Sequence, residues 1–495
     1  MKNIFLIFVS FVTITAACSD WLDVQPKTSI KGEDLFSSEN GFKDALTGFY
    51  LNMAMSEVYA KEMTYGYVDL LAGNYDNYPG DYYQEKRYDY EVTWESTKNG
   101  IYTKLYNIIA NINNFLHYLD KNRDVLTTEH YYEIMKGEAL GLRAFLHFDL
   151  LRLFGPVYRL DPKAKAIPYR KLFDREATPL LSAEEVTDLV IIDLMEADTL
   201  LEKYDSKDFV RSTYDVNKDP FLRMRMLRMN TYAVKALLAR VYCYRGDEDS
   251  KGEAVKYARE VISAENYFML DEGNSTPIRI NEHIFSLNIN EFDKILETNY
   301  RMMLSQDMQN NESNFIMRRK ENVDIQFEKS GIGLTDWRVG DNAFLITGNA
   351  FAREYVICQK YNQSSYSSVY RGKDILPLIR LPEMYYIIAE CGTPEESVAA
   401  LNAVRESRGI AYTNALQVTE SYDKPKLDFT YDNTQTTRIY EVMKEYQKEY
   451  FSEGQLWFFY KRYNFKTFFT CPLEDVRDKY QWPLPDNEKL FGNNN

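Results

Sequence analysis

The stretch Gly137–Val157, GEALGLRAFLHFDLLRLFGPV, restricts what this chain can fold into more than any other. Apolar residues recur at Ala139, Leu142, Leu146, Leu150 and Leu153, in steps of three and four, which is one face of an α-helix. Phe145, Phe148 and Phe154 widen that stripe until most of the helix must be covered, so it reads as a buried bundle helix. Arg143, Asp149 and Arg152 lie inside the apolar run and are expected to be paired, because a lone buried charge is costly. Gly155-Pro156 ends the helix: proline has no N–H for the ladder and pushes the residue before it away from α geometry. These residues predict a core helix in a large helical protein and do not speak of function.

Other helical stretches surround it. Gly41–Met55 carries apolar residues at helical spacing behind Asn40, a plausible N-cap. Thr64–Leu71 and Gly100–Leu119 follow. In Met229–Phe268, Ala233, Ala236, Ala239, Ala254 and Ala258 alternate with larger aliphatics. Two helices joined at Arg245-Gly246-Asp247 would pack closely there, as in a tetratricopeptide hairpin. A second hairpin reads from Leu381–Glu390, a break at Gly392-Thr393-Pro394, and Ser397–Arg408; a third spans Arg438–Tyr463.

Arg143–Val157 resembles the signature helix of the SusD/RagB family, nutrient-binding outer-membrane lipoproteins of Bacteroidetes-type bacteria. Arg380-Leu381-Pro382-Glu383 is similar to its R-L-A-E, with Pro for Ala. Leu401-Asn402, Arg405 and Arg408-Gly409 are similar to its L-N-x-x-R-x-R-x-G, with one residue more between the arginines. Glu445, Glu449, Glu453-Gly454 and Arg462 resemble its long acidic-aromatic run. Tyr446 and Leu456 stand where the family prefers Arg, and Phe459 where it prefers Asp, which bears on any salt-bridge network carried over to this helix. Trp482-Pro483-Leu484-Pro485 with Glu488 is similar to the closing P-I-P-x-x-E. The resemblance implies a mainly α fold of tetratricopeptide-like helical hairpins with an irregular, loop-rich flank, as one SusD-like domain over residues 18–495.

Residues 1–17, MKNIFLIFVSFVTITAA, read as a secretory signal peptide, too short to span a membrane. Cys18 follows small residues as in a bacterial lipobox, with Thr15 where that pattern usually has Leu. Cys18–Pro26 also resembles the mature start of SusD-like proteins, so Cys18 is the expected lipidation site. The net charge of −15 argues against sequence-independent nucleic-acid binding. The five cysteines have no metal-ligand spacing. Cys243 reads as a buried thiol; a single bridge among Cys358, Cys391 and Cys471 stays open.

The chain holds 40 Tyr and 28 Phe, too many tyrosines for all to be core, since the hydroxyl wants water or a partner. The run Asn74-Tyr75-Asp76-Asn77-Tyr78-Pro79-Gly80-Asp81-Tyr82-Tyr83 breaks the helical pattern with turn residues, and Trp94 follows. Sugar rings present apolar C–H faces that suit flat aromatics, with Asn and Asp groups for directional hydrogen bonds. The candidate ligand-binding residues are therefore Tyr75, Tyr78, Tyr82 and Trp94 for stacking and Asn74, Asp76 and Asn77 for hydroxyls. The plainer reading has these rings packed with their hydroxyls outward. Asn74, Asp76, Asn77 and Asp81 also offer oxygens of the kind calcium takes, though a solvated turn explains them as well. In SusD-like proteins this region contributes to the ligand site.

Phe285–Tyr370 lacks long helical periods. Its Asp336-Trp337-Arg338 resembles a D-x-R element of the family, which implies a structural Asp336–Arg338 pair with Trp337 packed beneath; Trp337 is also a further stacking candidate. The four histidines form no metal-ligand pair, and His147 reads as a satisfied interior imidazole. Glu184-Glu185 and Glu395-Glu396 follow Ser182 and Thr393 and are explained as acidic first turns behind helix caps. No motif marks a catalytic pair of carboxylates.

The expected protein is not an enzyme and uses no cofactor or metal. The resemblance implies a surface-exposed, lipid-anchored outer-membrane protein that captures an oligosaccharide and delivers it to a TonB-dependent, SusC-like transporter. Capture of peptides, as RagB-type members imply, and a tetratricopeptide-like protein-interaction scaffold are the alternatives.

Overall fold

A computed structural model of the chain describes residues 32–78, 86–174, 176–205, 207, 219–273, 277–299, 316–340, 343–350, 353–363, 372–426 and 435–492. The signal sequence, Cys18, Tyr82, Tyr83 and residues 364–368 lie outside them. The principal helices are α1 (Glu39–Met53), α2 (Tyr67–Leu71), α3 (Glu95–Lys121), α4 (Tyr131–Phe154), α5 (Ala183–Tyr204), α6 (Thr231–Arg245), α7 (Glu248–Ile262), α8 (Lys320–Gln326), α9 (Leu381–Cys391), α10 (Pro394–Ser407), α11 (Thr437–Glu449) and α12 (Leu456–Tyr463).

Helix α4 is the buried centre: every residue from Gly137 to Phe154 is covered. Its charges are paired. Arg143 donates from Nε and Nη2 to both oxygens of Asp193 on α5, at 2.7 and 2.8 Å. Arg152 binds Asp149, whose other oxygen accepts from the Tyr59 hydroxyl at 2.7 Å. His147 bonds the Arg143 carbonyl through Nδ1, accepts the Arg170 N–H at Nε2, and stacks on Tyr169 at 3.9 Å. Burial pushes its imidazole down to about 3, so it is neutral and structural. At the end of α4, the ammonium of Lys461 on α12 donates to the carbonyls of Arg152 (2.8 Å) and Gly155 (2.6 Å), groups that a helix end leaves unsatisfied.

Three hairpins follow as expected: α6/α7, α9/α10 and α11/α12. Asn230 caps α6, accepting from Tyr232 and Ala233, and Thr393 with Glu396 closes a capping box on α10. Ser182 and Glu185 do the same for α5. Several boundaries differ from the sequence reading, α2 starting at Tyr67 and not Thr64 and α10 at Pro394 and not Ser397. Helix α1 starts earlier because Ser38, in extended geometry, accepts the Gly41 N–H and takes the cap from Asn40. Helix α3 begins at Glu95, directly after Trp94.

The irregular middle contains strands. β1 (His283–Asn288) pairs antiparallel with β5 (Ile375–Arg380), and β4 (Arg353–Cys358) lies between β2 (Arg318–Arg319) and β3 (Phe344–Ala350), antiparallel to both. Cys358, Cys391 and Cys471 are free, so the bridge left open among them is absent, and Cys243 is a buried thiol. Around α11, Glu445, Glu449 and Glu453 do form an extensive ionic network despite the aromatic replacements. Tyr446 and Phe459 pack on each other at 4.6 Å instead of carrying charge.

Candidate functional site

The loop after α2 is tied down by its own polar groups. Asp76 accepts the Arg319 N–H at 2.8 Å and the Asn322 amide at 2.8 and 2.9 Å. Asn77 exchanges backbone hydrogen bonds with Met317, at 3.0 and 3.1 Å. Asn74 Oδ1 accepts from Arg318 at 3.2 Å. These groups fasten the loop to β2 and α8 instead of facing outward. Among the described residues no group of His, Cys, Asp and Glu is arranged to hold a metal ion.

The rings follow the backbone inward. Tyr75 is buried, its hydroxyl donating to the Tyr65 carbonyl at 2.8 Å and its ring meeting Phe451 edge-on at 5.8 Å. Tyr78 is buried too, 5.8 Å from Trp94 in T-shaped contact. The sequence reading offered both rings as stacking candidates beside the plainer packed reading; here aromatic neighbours cover both. Trp94 is half-buried, stacked on Tyr67 at 4.2 Å with its indole N–H on the Lys86 carbonyl. Tyr82 lies outside the described residues.

Trp337 has the opposite placement. Its neighbours turn inward: Arg338 donates from Nε and Nη2 to Asp336 at 2.9 and 2.7 Å, and from Nη1 to Glu445 at 2.8 Å and Glu449 at 3.2 Å. The expected Asp336–Arg338 pair is there, but Trp337 is not packed beneath it. Its indole is 36 % exposed, and its backbone N–H is held by the Arg408 carbonyl at 2.8 Å.

Beside Trp337 opens a cleft of ≈ 470 Å³, lined also by Arg279, Phe327, Phe344, Lys360, Lys448, Glu449 and Phe451. Phe451 forms a shared wall: Tyr75 packs on it at 5.8 Å and Phe344 at 5.1 Å. The aromatic loop therefore backs the cleft, and Trp337 edges its mouth. Burial pushes the Glu449 carboxyl up, but Arg408, Arg380 and Arg338 outweigh it and hold the group well below the usual carboxylate range. Sequence reasoning missed Arg279, Phe327, Phe344 and Phe451. They stand far apart in the chain in no recognisable motif, and side-chain packing gathers the wall: Phe344 on β3 meets Phe327 at 5.7 Å and Phe451 at 5.1 Å. A wider groove of ≈ 1210 Å³ lies between α3, α4 and residues 171–174, lined by Asn114, His117, Lys136 and Phe173; Arg143 reaches it, but none of the candidate ligand-binding residues does.

Comparison with known proteins bears on both halves of the chain. Residues 20–243 match the family described as "Starch-binding associating with outer membrane", and residues 264–495 match the SusD family. The chain is similar to the SusD-like protein P38 of Formosa agariphila, 24% identical over 531 residues and 99% of each chain. It also resembles a SusD-like protein of Bacteroides ovatus, 24% identical over 51% of this chain and 41% of that one. Among solved structures, a SusD superfamily protein of Bacteroides thetaiotaomicron superposes with a TM-score of 0.67 at 17% identity, over 91% of this chain and 97% of that one. A SusD-like carbohydrate binding protein of Bacteroides vulgatus gives 0.63 at 17%, over 86% and 84%. Among the described residues no helix is long and apolar enough to cross a membrane.

Proposed function

The chain belongs to the SusD/RagB family, and from that premise we propose that it is a cell-surface glycan-binding lipoprotein. It is anchored through acylated Cys18 after removal of residues 1–17, and it hands oligosaccharides to a TonB-dependent, SusC-like transporter. No bond is broken. The family description names starch binding and the outer membrane, and a similar structure is that of a carbohydrate binding protein. The single observation that carries the glycan reading is Trp337: a flat indole more than a third exposed, held by its backbone at the mouth of a cleft. Apolar sugar faces pack on such a surface while polar groups at its edge meet hydroxyls.

In this reading Trp337 and Trp94 stack on sugar rings, with Tyr82 as a third candidate. Asn74, Tyr75, Asp76, Asn77 and Tyr78 hold the platform behind them. The whole mature chain from residue 18 onward acts as one SusD-like binding domain. The test is calorimetric titration of the mature chain with plant, host and microbial glycans, with peptide mixtures alongside. Saturable heat with one glycan class supports the reading; heat with peptides alone moves the protein to peptide capture.

A further inference from the structure

Among the described residues, most cations around α11 are matched to carboxylates. Arg338 binds Asp336, Glu445 and Glu449; Arg380 binds Glu282, Glu449 and Glu453; Arg408 binds Glu282 and Glu449. Lys360 spends its ammonium on the carbonyls of Glu449 and Phe451 and on Glu453, and Lys448 on Glu328. Arg279 lines the same cleft and is 5 % exposed, yet among the described residues no carboxylate lies within 4.0 Å of it. Its guanidinium donates from Nη1 to the Asp271 carbonyl at 2.7 Å, which leaves most of its five N–H groups unspent there. A guanidinium buried with no carboxylate in direct contact is costly, the more so beside other cations. Burial and Arg408 pull this arginine down to about 10 against the opposing pull of Glu282 and Glu449, so it still carries its charge at neutral pH. Its backbone is also in the left-handed region, at φ 50°, which a non-glycine residue adopts at a cost and which recurs where function demands it.

We propose that the cleft beside Trp337 receives a carboxylate on Arg279, and hence that the glycan captured here is an acidic one bearing uronate groups. A uronate would place its carboxylate inside, on the planar fork that suits it, and keep its ring outside against Trp337. Glu449 on the wall does not oppose this, since three arginines already neutralise it.

This inference rests on the glycan reading, and the probes separate the two. The mature chain is titrated with sodium glucuronate, its methyl ester, glucose, sodium acetate and a short peptide acid, with melting temperature and tryptophan emission as readouts. Glucuronate is expected to raise the melting temperature saturably and perturb the emission, with acetate weaker and the ester and glucose silent. Arg279→Gln should weaken glucuronate roughly tenfold or more, and Arg279→Lys should restore part of the loss. Should Arg279→Gln not fold, the acid-against-ester contrast in the wild type decides. Absence of saturation by both acetate and glucuronate, or an unchanged response in Arg279→Gln, overturns the proposal while leaving capture of neutral glycans standing. Stronger binding of the peptide acid than of glucuronate overturns the uronate source and the glycan reading with it.

Discussion

The indole of Trp337 lies against the α-carbon of Gly409: a Cβ built on that glycine would stand 2.5 Å from Cε2 of the ring. Gly409 also has φ +81°, a conformation that side chains disfavour. Gly409→Ala is therefore expected to displace the indole and to destabilise the fold by at least about 1–2 kcal/mol. Thermal unfolding reads the second effect and a shift in tryptophan emission the first.

Glu449 is the carboxylate that Arg338, Arg380 and Arg408 share. Removing it leaves three buried guanidinium groups short of a partner. Glu449→Ala is expected to cost about 3–5 kcal/mol, as breaking a buried pair does. Urea denaturation checks this.

Glu328 gives a handle on pH. Burial alone would raise its carboxyl, but Lys448 and Lys444 dominate and bring it down to about 2 from an ordinary 4.5. A group depressed in the folded state contributes stability that is fully present above its unfolded value and is lost as pH falls through the folded one. Stability should therefore fall between pH of about 4.5 and about 2, and Glu328→Gln should flatten that part of the curve. Urea midpoints across the range make the comparison.

The loop residues should separate from the cleft in their effects. Asp76→Ala removes three hydrogen bonds that tie the loop to Arg319 and Asn322 and is expected to cost about 1.5–3 kcal/mol. Tyr75→Phe loses a buried hydroxyl bonded to the Tyr65 carbonyl and to Ser452 Oγ, about 1–2 kcal/mol, and should leave glycan affinity unchanged because the ring is covered. Parallel unfolding and titration experiments distinguish the two variants.

The sequence made the helical half of this molecule legible because helical periodicity is local. The core helix, its paired Arg143 and Arg152, the three hairpins and the interior His147 all read from residues within a few turns of one another. The flank was opaque for the opposite reason. Asn77 pairs with Met317 and Asn74 with Arg318, partners about 240 residues away. Asn74, Tyr75 and Tyr78, which look solvated in isolation, are buried once those partners arrive. Aromatic composition drew attention to this flank, but which rings face outward is set by long-range packing such as that of Phe451 between Tyr75 and Phe344.

The most direct test of the account is a calorimetric titration of the mature chain and its Trp337→Ala variant against the same glycan and peptide panel. Glycan capture at the indole requires saturable heat with one glycan class in the wild type and roughly tenfold weaker binding in the variant. An affinity that Trp337→Ala leaves unchanged, or saturable heat from peptides alone, would contradict it.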